Sequence, residues 1–135
     1  MLRLETAALY CGVNILILLV LSVLVVSGRR RHKIRLGDGG NPDFVRRVRA
    51  HANAAEYIPA GLIGLVVLSL FEGLPIWVLH GAGISLTLGR ILHAAGLHAG
   101  ELNFGRMGGM VLTFLSYAIL GLALVYVGLS HQLGG

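Results

Sequence analysis

Apolar residues gather into four long runs, and the polar positions inside each run set it apart from the others. The first, Thr6 to Ser27, is apolar but for Asn14 and Ser22. As a helix it is long enough to cross the roughly 30 Å hydrocarbon core of a bilayer. Upstream it has only Arg3, it lacks a small-x-small cleavage pattern, and a basic cluster follows it, which predicts a retained span rather than a secretion signal. Asn14, in mid-span, is expected to bond to a neighbouring helix. Gly28 to Asn41 reads as a loop, basic at its start and glycine-rich at its end. Asn41-Pro42-Asp43 then reads as a helix start: an N-cap, proline in the first turn and an acid beside it. That second helix runs to about Phe71, longer than the core it would cross, with Pro59 expected to kink it. Glu72-Gly73 joins it to a third run, Leu74 to Leu97, in which Gly81, Gly83 and Gly89 allow close helix approach. A polar loop from His98 to Gly105 precedes the last run, for which Asn103 is the expected N-cap and where Gly105, Gly108 and Gly109 again permit close packing. The pattern predicts an all-α bundle of four transmembrane helices, spanning about 6–27, 43–71, 74–97 and 106–129, as one domain over 1–135.

One polar stripe breaks this pattern. Arg46, Arg49, Asn53 and Glu56 fall at i, i+3, i+7 and i+10, so on a helix they share a face, and the almost wholly apolar Ile58 to Phe71 follows directly. Each unpaired charge at membrane depth costs about 2.5–3.5 kcal/mol on insertion scales, so such a stripe needs protein or an aqueous cavity against it. Four alternating spans bring to the same end the Arg29–Arg30 terminus of the first helix, this stripe with Tyr57, the Arg90–His93 pair spaced i, i+3, and Arg106. Glu56 is the lone acid among these arginines. The set suits a small zwitterion with excess negative charge, its carboxylates on arginines and its ammonium on Glu56.

Composition agrees with a membrane protein: 56% of the 135 residues are hydrophobic and 13% charged, about half the charged fraction of a soluble domain. The net charge of +5 resides largely in five basic residues between Arg29 and Arg35. Next to a span these mark the cytoplasmic side and an anionic leaflet, and no nucleic-acid-binding fold is readable. Both termini are then expected on the non-cytoplasmic side, with the polar set facing the cytoplasm. The single cysteine, Cys11, lies in the first apolar run and permits no intrachain disulfide.

Plainer readings stand beside the functional one. The Arg29–Lys33 cluster serves equally as a topology and headgroup determinant. Arg49 and Glu56 could form a structural pair, with Arg90 between helices, and His93 could be a structural histidine. His51, His93 and Glu56 lack the HxxH or HExxH spacing of a metal site. Arg106 in the first turn of a helix opposes the positive end of the macrodipole, which suits a bound anion there.

The segment R-A-H-A-N-A-A-E-Y-I-P, Arg49 to Pro59, after N-P-D-F at Asn41 to Phe44, resembles the second-helix signature of the MAPEG family, membrane-associated proteins of eicosanoid and glutathione metabolism. The S-G-R-R end of the first helix, the G-R-x-x-H of the third (Gly89, Arg90, His93) and Arg106 extend the likeness over almost the whole chain. The resemblance implies a homotrimer with glutathione sites between subunits. It implies that Arg49, Asn53, Glu56 and Tyr57 hold glutathione, with His51 nearby, Arg29 or Arg30 coming from the adjacent subunit, and His93 at a His/Tyr position. Arg106 would stabilise the thiolate, which attacks a lipophilic electrophile from the bilayer. A thiol of pKa about 8.5 is only slightly ionised at neutral pH, so a nearby guanidinium at a helix N-terminus has real work to do. Leu97 falls where the eicosanoid synthases of that family have tyrosine, and Met107 and Met110 where its prostaglandin E synthase type has serine and tyrosine. A prostaglandin isomerase is therefore not expected. The expected activity is a glutathione-dependent transferase, with peroxidase chemistry as an extension. The alternatives are a lipid- or glutathione-binding module without turnover, and a four-span multidrug exporter.

Overall fold

The computed structural model describes residues 2–100 and 103–133, all helical apart from three connections. The helices are α1 (Leu2–His32), α2 (Pro42–Ser69), α3 (Ile76–Ala99) and α4 (Phe104–Leu133). α1, α2 and α4 are long and apolar enough to cross a membrane. α3, with Arg90 and three histidines in its 24 residues, falls short on its own composition, so three of the four expected spans are evident by this measure. The outer faces of α1 and α4 expose Leu16, Leu19, Val23, Phe114, Leu122 and Val125, which suits lipid as solvent.

The helices alternate in direction. Gly28 of α1 meets Phe44 of α2, Gly61 of α2 meets Leu86 of α3, and Gly89 of α3 meets Thr113 of α4, so both ends of the chain lie at one end of the bundle. α1 and α4 do not touch each other, and the α2–α3 pair lies between them. Two apolar cores fill the interior. One surrounds Tyr10, Leu65, Leu68, Leu79 and Leu86 near the terminal end, the other Leu21, Ala54, Ile58, Ala94 and Leu97 near the α2 stripe. Asn14 bonds across to α3 as expected, its Nδ2 donating to Thr87 Oγ1 at 2.8 Å.

Boundaries shift at the basic loop. α1 does not stop at Gly28 but continues through Arg29, Arg30, Arg31 and His32, where cations face the negative end of the helix dipole. It ends on Lys33 at φ 54, with Lys33 N–H donating to the Arg30 carbonyl at 3.3 Å and Ile34 N–H to the Arg29 carbonyl at 3.0 Å. This is a Schellman closure with lysine where glycine is usual. The start of α2 is as expected: Asn41 Oδ1 accepts from the Phe44 N–H at 3.0 Å, and Pro42 opens the helix. α2 runs through Pro59 as one helix. His98 belongs to α3 and Gly105 to α4, while Glu101 and Leu102 of the expected loop lie outside the described residues.

The α3–α4 contact is backbone against backbone. A Cβ on Gly109 would lie 2.5 Å from His93 N and 2.6 Å from the Gly89 carbonyl, and one on Gly96 would lie 2.4 Å from Arg106 N. Gly108 faces open space and Gly81 nearly so, so those two take no part in the approach predicted for them. Gly109→Ala should destabilise the fold by about 2–3 kcal/mol, since rigid backbone must separate. Gly108→Ala should be neutral or stabilising by up to about 1 kcal/mol. Equal melting temperatures for the two detergent-solubilised variants would contradict this packing.

Candidate functional site

The α2 stripe forms as its spacing dictates, but its members divide. Arg46 pairs with Asp43 one turn earlier, the one ion pair among the described residues. Arg49, Asn53 and Glu56 turn instead toward α3 and α4 and line a cavity of about 470 Å³, within the usual range of small-molecule sites. Arg49 and Glu56 are exposed there, and neither has a partner among the described residues. The structural Arg49–Glu56 pair that the sequence left open is not formed.

α3 brings Arg90, buried to 1% exposure and nine residues from the helix end, roughly 14 Å along its axis. No carboxylate among the described residues meets it. Its Nη1 donates to Asn53 Oδ1 at 2.6 Å, its Nε and Nη2 to Thr113 Oγ1 at 3.0 and 2.5 Å, and Nη2 reaches Met110 Sδ at 3.5 Å. The guanidinium carbon also lies 5.1 Å from the centre of the Tyr57 ring, on the electron-rich face that attracts a cation. Arg90 thus ties α2 to α4 behind the cavity. By occupying Asn53 Oδ1 it leaves the amide Nδ2 hydrogens as the group Asn53 can offer the cavity.

The opposite wall comes from α3 and α4. Asn103 caps α4 as expected: its Oδ1 accepts from the Arg106 N–H at 3.1 Å, while its Nδ2 donates to the Gly96 carbonyl at 2.8 Å. This pins the first turn of α4 to α3. His93, buried on α3, has Nδ1 2.9 Å from the Arg106 carbonyl oxygen. His93 and Arg106 both line the cavity, joined by Leu97, Met107, Met110 and Val111. The Arg106 side chain has no partner among the described residues. The cavity therefore combines unpartnered cations, one carboxylate and an amide donor with an apolar lining of leucine, methionines and valine.

The remaining candidates lie apart from it in this chain. His51 faces α1: Ser22 Oγ gives its hydrogen to the Leu18 carbonyl at 2.8 Å, so His51 Nε2, 3.0 Å from that oxygen, is the donor to it. Tyr57 packs behind the cavity, its ring 5.9 Å from that of Tyr117, whose hydroxyl donates to the Tyr57 carbonyl at 2.6 Å. Arg29 donates to the Gly37 carbonyl at 3.0 Å and stacks over Phe44. Arg30 lines a separate groove on α1 with Ser22, Val23, Val26 and Ser27. Among the described residues no group of three or more His, Cys, Asp or Glu side chains converges. Sequence reasoning missed Thr113, the chief partner of Arg90. A threonine one turn past Gly109 in an apolar run was the available signal.

This geometry has relatives. The chain matches the model of the MAPEG family over residues 7–126. It is similar to the inner membrane protein YecN of Escherichia coli strain K12, 33% identical over 117 residues, 87% of this chain and 88% of the relative. YecN of Escherichia coli O6:H1 matches with the same figures. Such a relative, together with three helices fit to cross a bilayer, makes this an integral membrane protein. With the family match covering nearly all of the helical bundle, the chain belongs to the MAPEG family.

Proposed function

We propose that the protein is a glutathione-dependent membrane transferase that joins the glutathione thiolate to hydrophobic electrophiles entering from the bilayer. One observation carries this reading: a single cavity is lined by both charged and apolar side chains, and its charged groups lack partners among the described residues. Arg49 and the Asn53 amide can meet the two carboxylates, Glu56 an ammonium and Arg106 the thiolate, which are the ionic groups of glutathione. Leu97, Met107, Met110 and Val111 suit a lipophilic co-substrate. The exposure of Arg49 and Glu56 in the single chain favours a homotrimer, in which Arg29 or Arg30 of a neighbour would close the cavity. The basic terminus of α1 favours a cytoplasmic site and termini on the other side. α3 would be the fourth span, with Ile84, Leu88, Ile91 and Leu92 on its exposed face.

A second reading, a glutathione- or lipid-binding module without turnover, is favoured by the same apolar lining. Leu97, Met107 and Met110 leave no hydroxyl beside the thiol. Purified protein in detergent should bind glutathione saturably in a calorimeter and conjugate it to a halodinitrobenzene. Saturable binding without conjugation over a panel of electrophiles would select the module. Absence of saturable binding would end both glutathione readings. The exporter has less to recommend it, since Asn14, the mid-span polar group that α1 offers, is buried and bonded to α3.

A further inference from the structure

We infer that His93 is a catalytic residue: its Nε2 takes the thiol proton of glutathione when the thiolate forms. The inference rests on the glutathione reading above and adds to it the destination of the proton. A carbonyl oxygen only accepts, so the 2.9 Å contact with the Arg106 carbonyl places the hydrogen of a neutral His93 on Nδ1. Nε2 is then left with a lone pair. His93 lines the cavity, and Nε2 has no partner among the described residues.

The other cavity groups narrow the choice of acceptor. Arg49 and Arg106 are permanent donors, and Asn53 has its oxygen committed to Arg90. Leu97, Met107, Met110 and Val111 offer no base. Glu56 is the other acceptor, and it is the counter-charge for the glutathione ammonium. The charged groups around the imidazole are therefore Arg49 and Glu56 on α2, Arg90 one turn earlier on α3, and Arg106 on α4.

In the step, the S–H bond breaks, the electron pair stays on sulfur and the proton binds Nε2. The imidazolium then donates from both nitrogens, Nδ1 to the Arg106 carbonyl and Nε2 to the thiolate, while the Arg106 guanidinium holds the sulfur charge. As the S–C bond to an activated double bond forms, the proton passes from Nε2 to the carbanion. Arg106 and His93 thus divide the work through one residue's two ends: the side chain of Arg106 faces the anion and its carbonyl orients the base.

Proton counting separates this from a thiolate held by Arg106 alone. Glutathione binding at pH 7 would be followed calorimetrically in buffers of different ionisation enthalpy, with thiolate measured by ultraviolet absorbance and S-methylglutathione as the non-ionising reference. The parent protein should release about zero protons to buffer per thiolate formed, and His93→Asn about one. Asparagine keeps an N–H for the Arg106 carbonyl but has no Nε2. His93→Asn should also lower turnover at saturating glutathione about 10²-fold, with affinity for S-methylglutathione within about threefold. One proton released per thiolate in the parent would overturn the inference while leaving the glutathione reading intact, and it needs no variant to fold. Failure of the parent to bind glutathione would defeat the glutathione reading itself, and the role of His93 with it.

Discussion

Arg106→Ala is expected to abolish the thiolate absorbance of bound glutathione at neutral pH and to lower conjugation by about 10²–10³-fold, the usual loss when a preorganised anion-stabilising donor is removed. The expectation follows from what else surrounds the sulfur. Arg90 is already engaged with Asn53, Thr113 and Met110, and Leu97, Met107 and Met110 provide no hydroxyl. Arg49 serves a carboxylate, and His93 becomes cationic only by taking the thiol proton, so neither supplies a standing charge at the sulfur in place of Arg106. Arg106 also sits in the first turn of α4, where unsatisfied backbone N–H groups add positive potential. Truncation spares the local scaffold, because the contacts to Asn103 and His93 are made by Arg106's backbone N–H and carbonyl. Affinity for S-methylglutathione, which has no thiol to ionise, should therefore change only a few-fold. Arg106→Lys keeps a point charge without the planar fork and should fall between. A thiolate signal equal to that of the parent in Arg106→Ala would remove this residue from the mechanism.

The parts of the site that could be read in advance share one property: their geometry is local to a helix. Spacing alone placed Arg49, Asn53 and Glu56 on one face, and Asn41-Pro42 announced the start of α2, because both depend on residues within a few turns. What escaped depends on how helices meet. Thr113 looks like an ordinary residue of an apolar run until the register of α3 on α4 sets its hydroxyl against Arg90. That register is in turn fixed by Gly89, Gly96 and Gly109, of which Gly96 drew no notice. His51 shares the signature segment with Asn53 but points to α1, since neighbours in sequence diverge around a helix. The end of α1 was missed for a different reason. Lysine, not glycine, takes the positive-φ position at residue 33, so the usual stop signal is absent and Gly28 offers a false one.

Arg90 supplies the sharpest separation of stability from recognition. It is a fully buried cation whose acceptors among the described residues are all neutral: Asn53 Oδ1, Thr113 Oγ1 and Met110 Sδ. Arg90→Ala should destabilise the fold by about 3–5 kcal/mol, because it opens a cavity and strands the Asn53 oxygen. Arg90→Met is the informative variant. It restores most of the lost volume and removes the cost of burying a charge, and such replacements are often neutral or stabilising. The bundle should then melt close to the parent. Glutathione affinity should nevertheless fall about tenfold, equivalent to about 1.4 kcal/mol, because nothing would hold the Asn53 oxygen away from the cavity and its N–H groups toward a ligand carboxylate. A second measurement excludes a general loosening: Asn53→Ala combined with Arg90→Met should bind no more weakly than Asn53→Ala alone, since both changes act through one amide. If Arg90→Met melts as low as Arg90→Ala, the hydrogen bonds themselves hold the helices together. If it binds glutathione as the parent does, Asn53 takes its orientation from elsewhere.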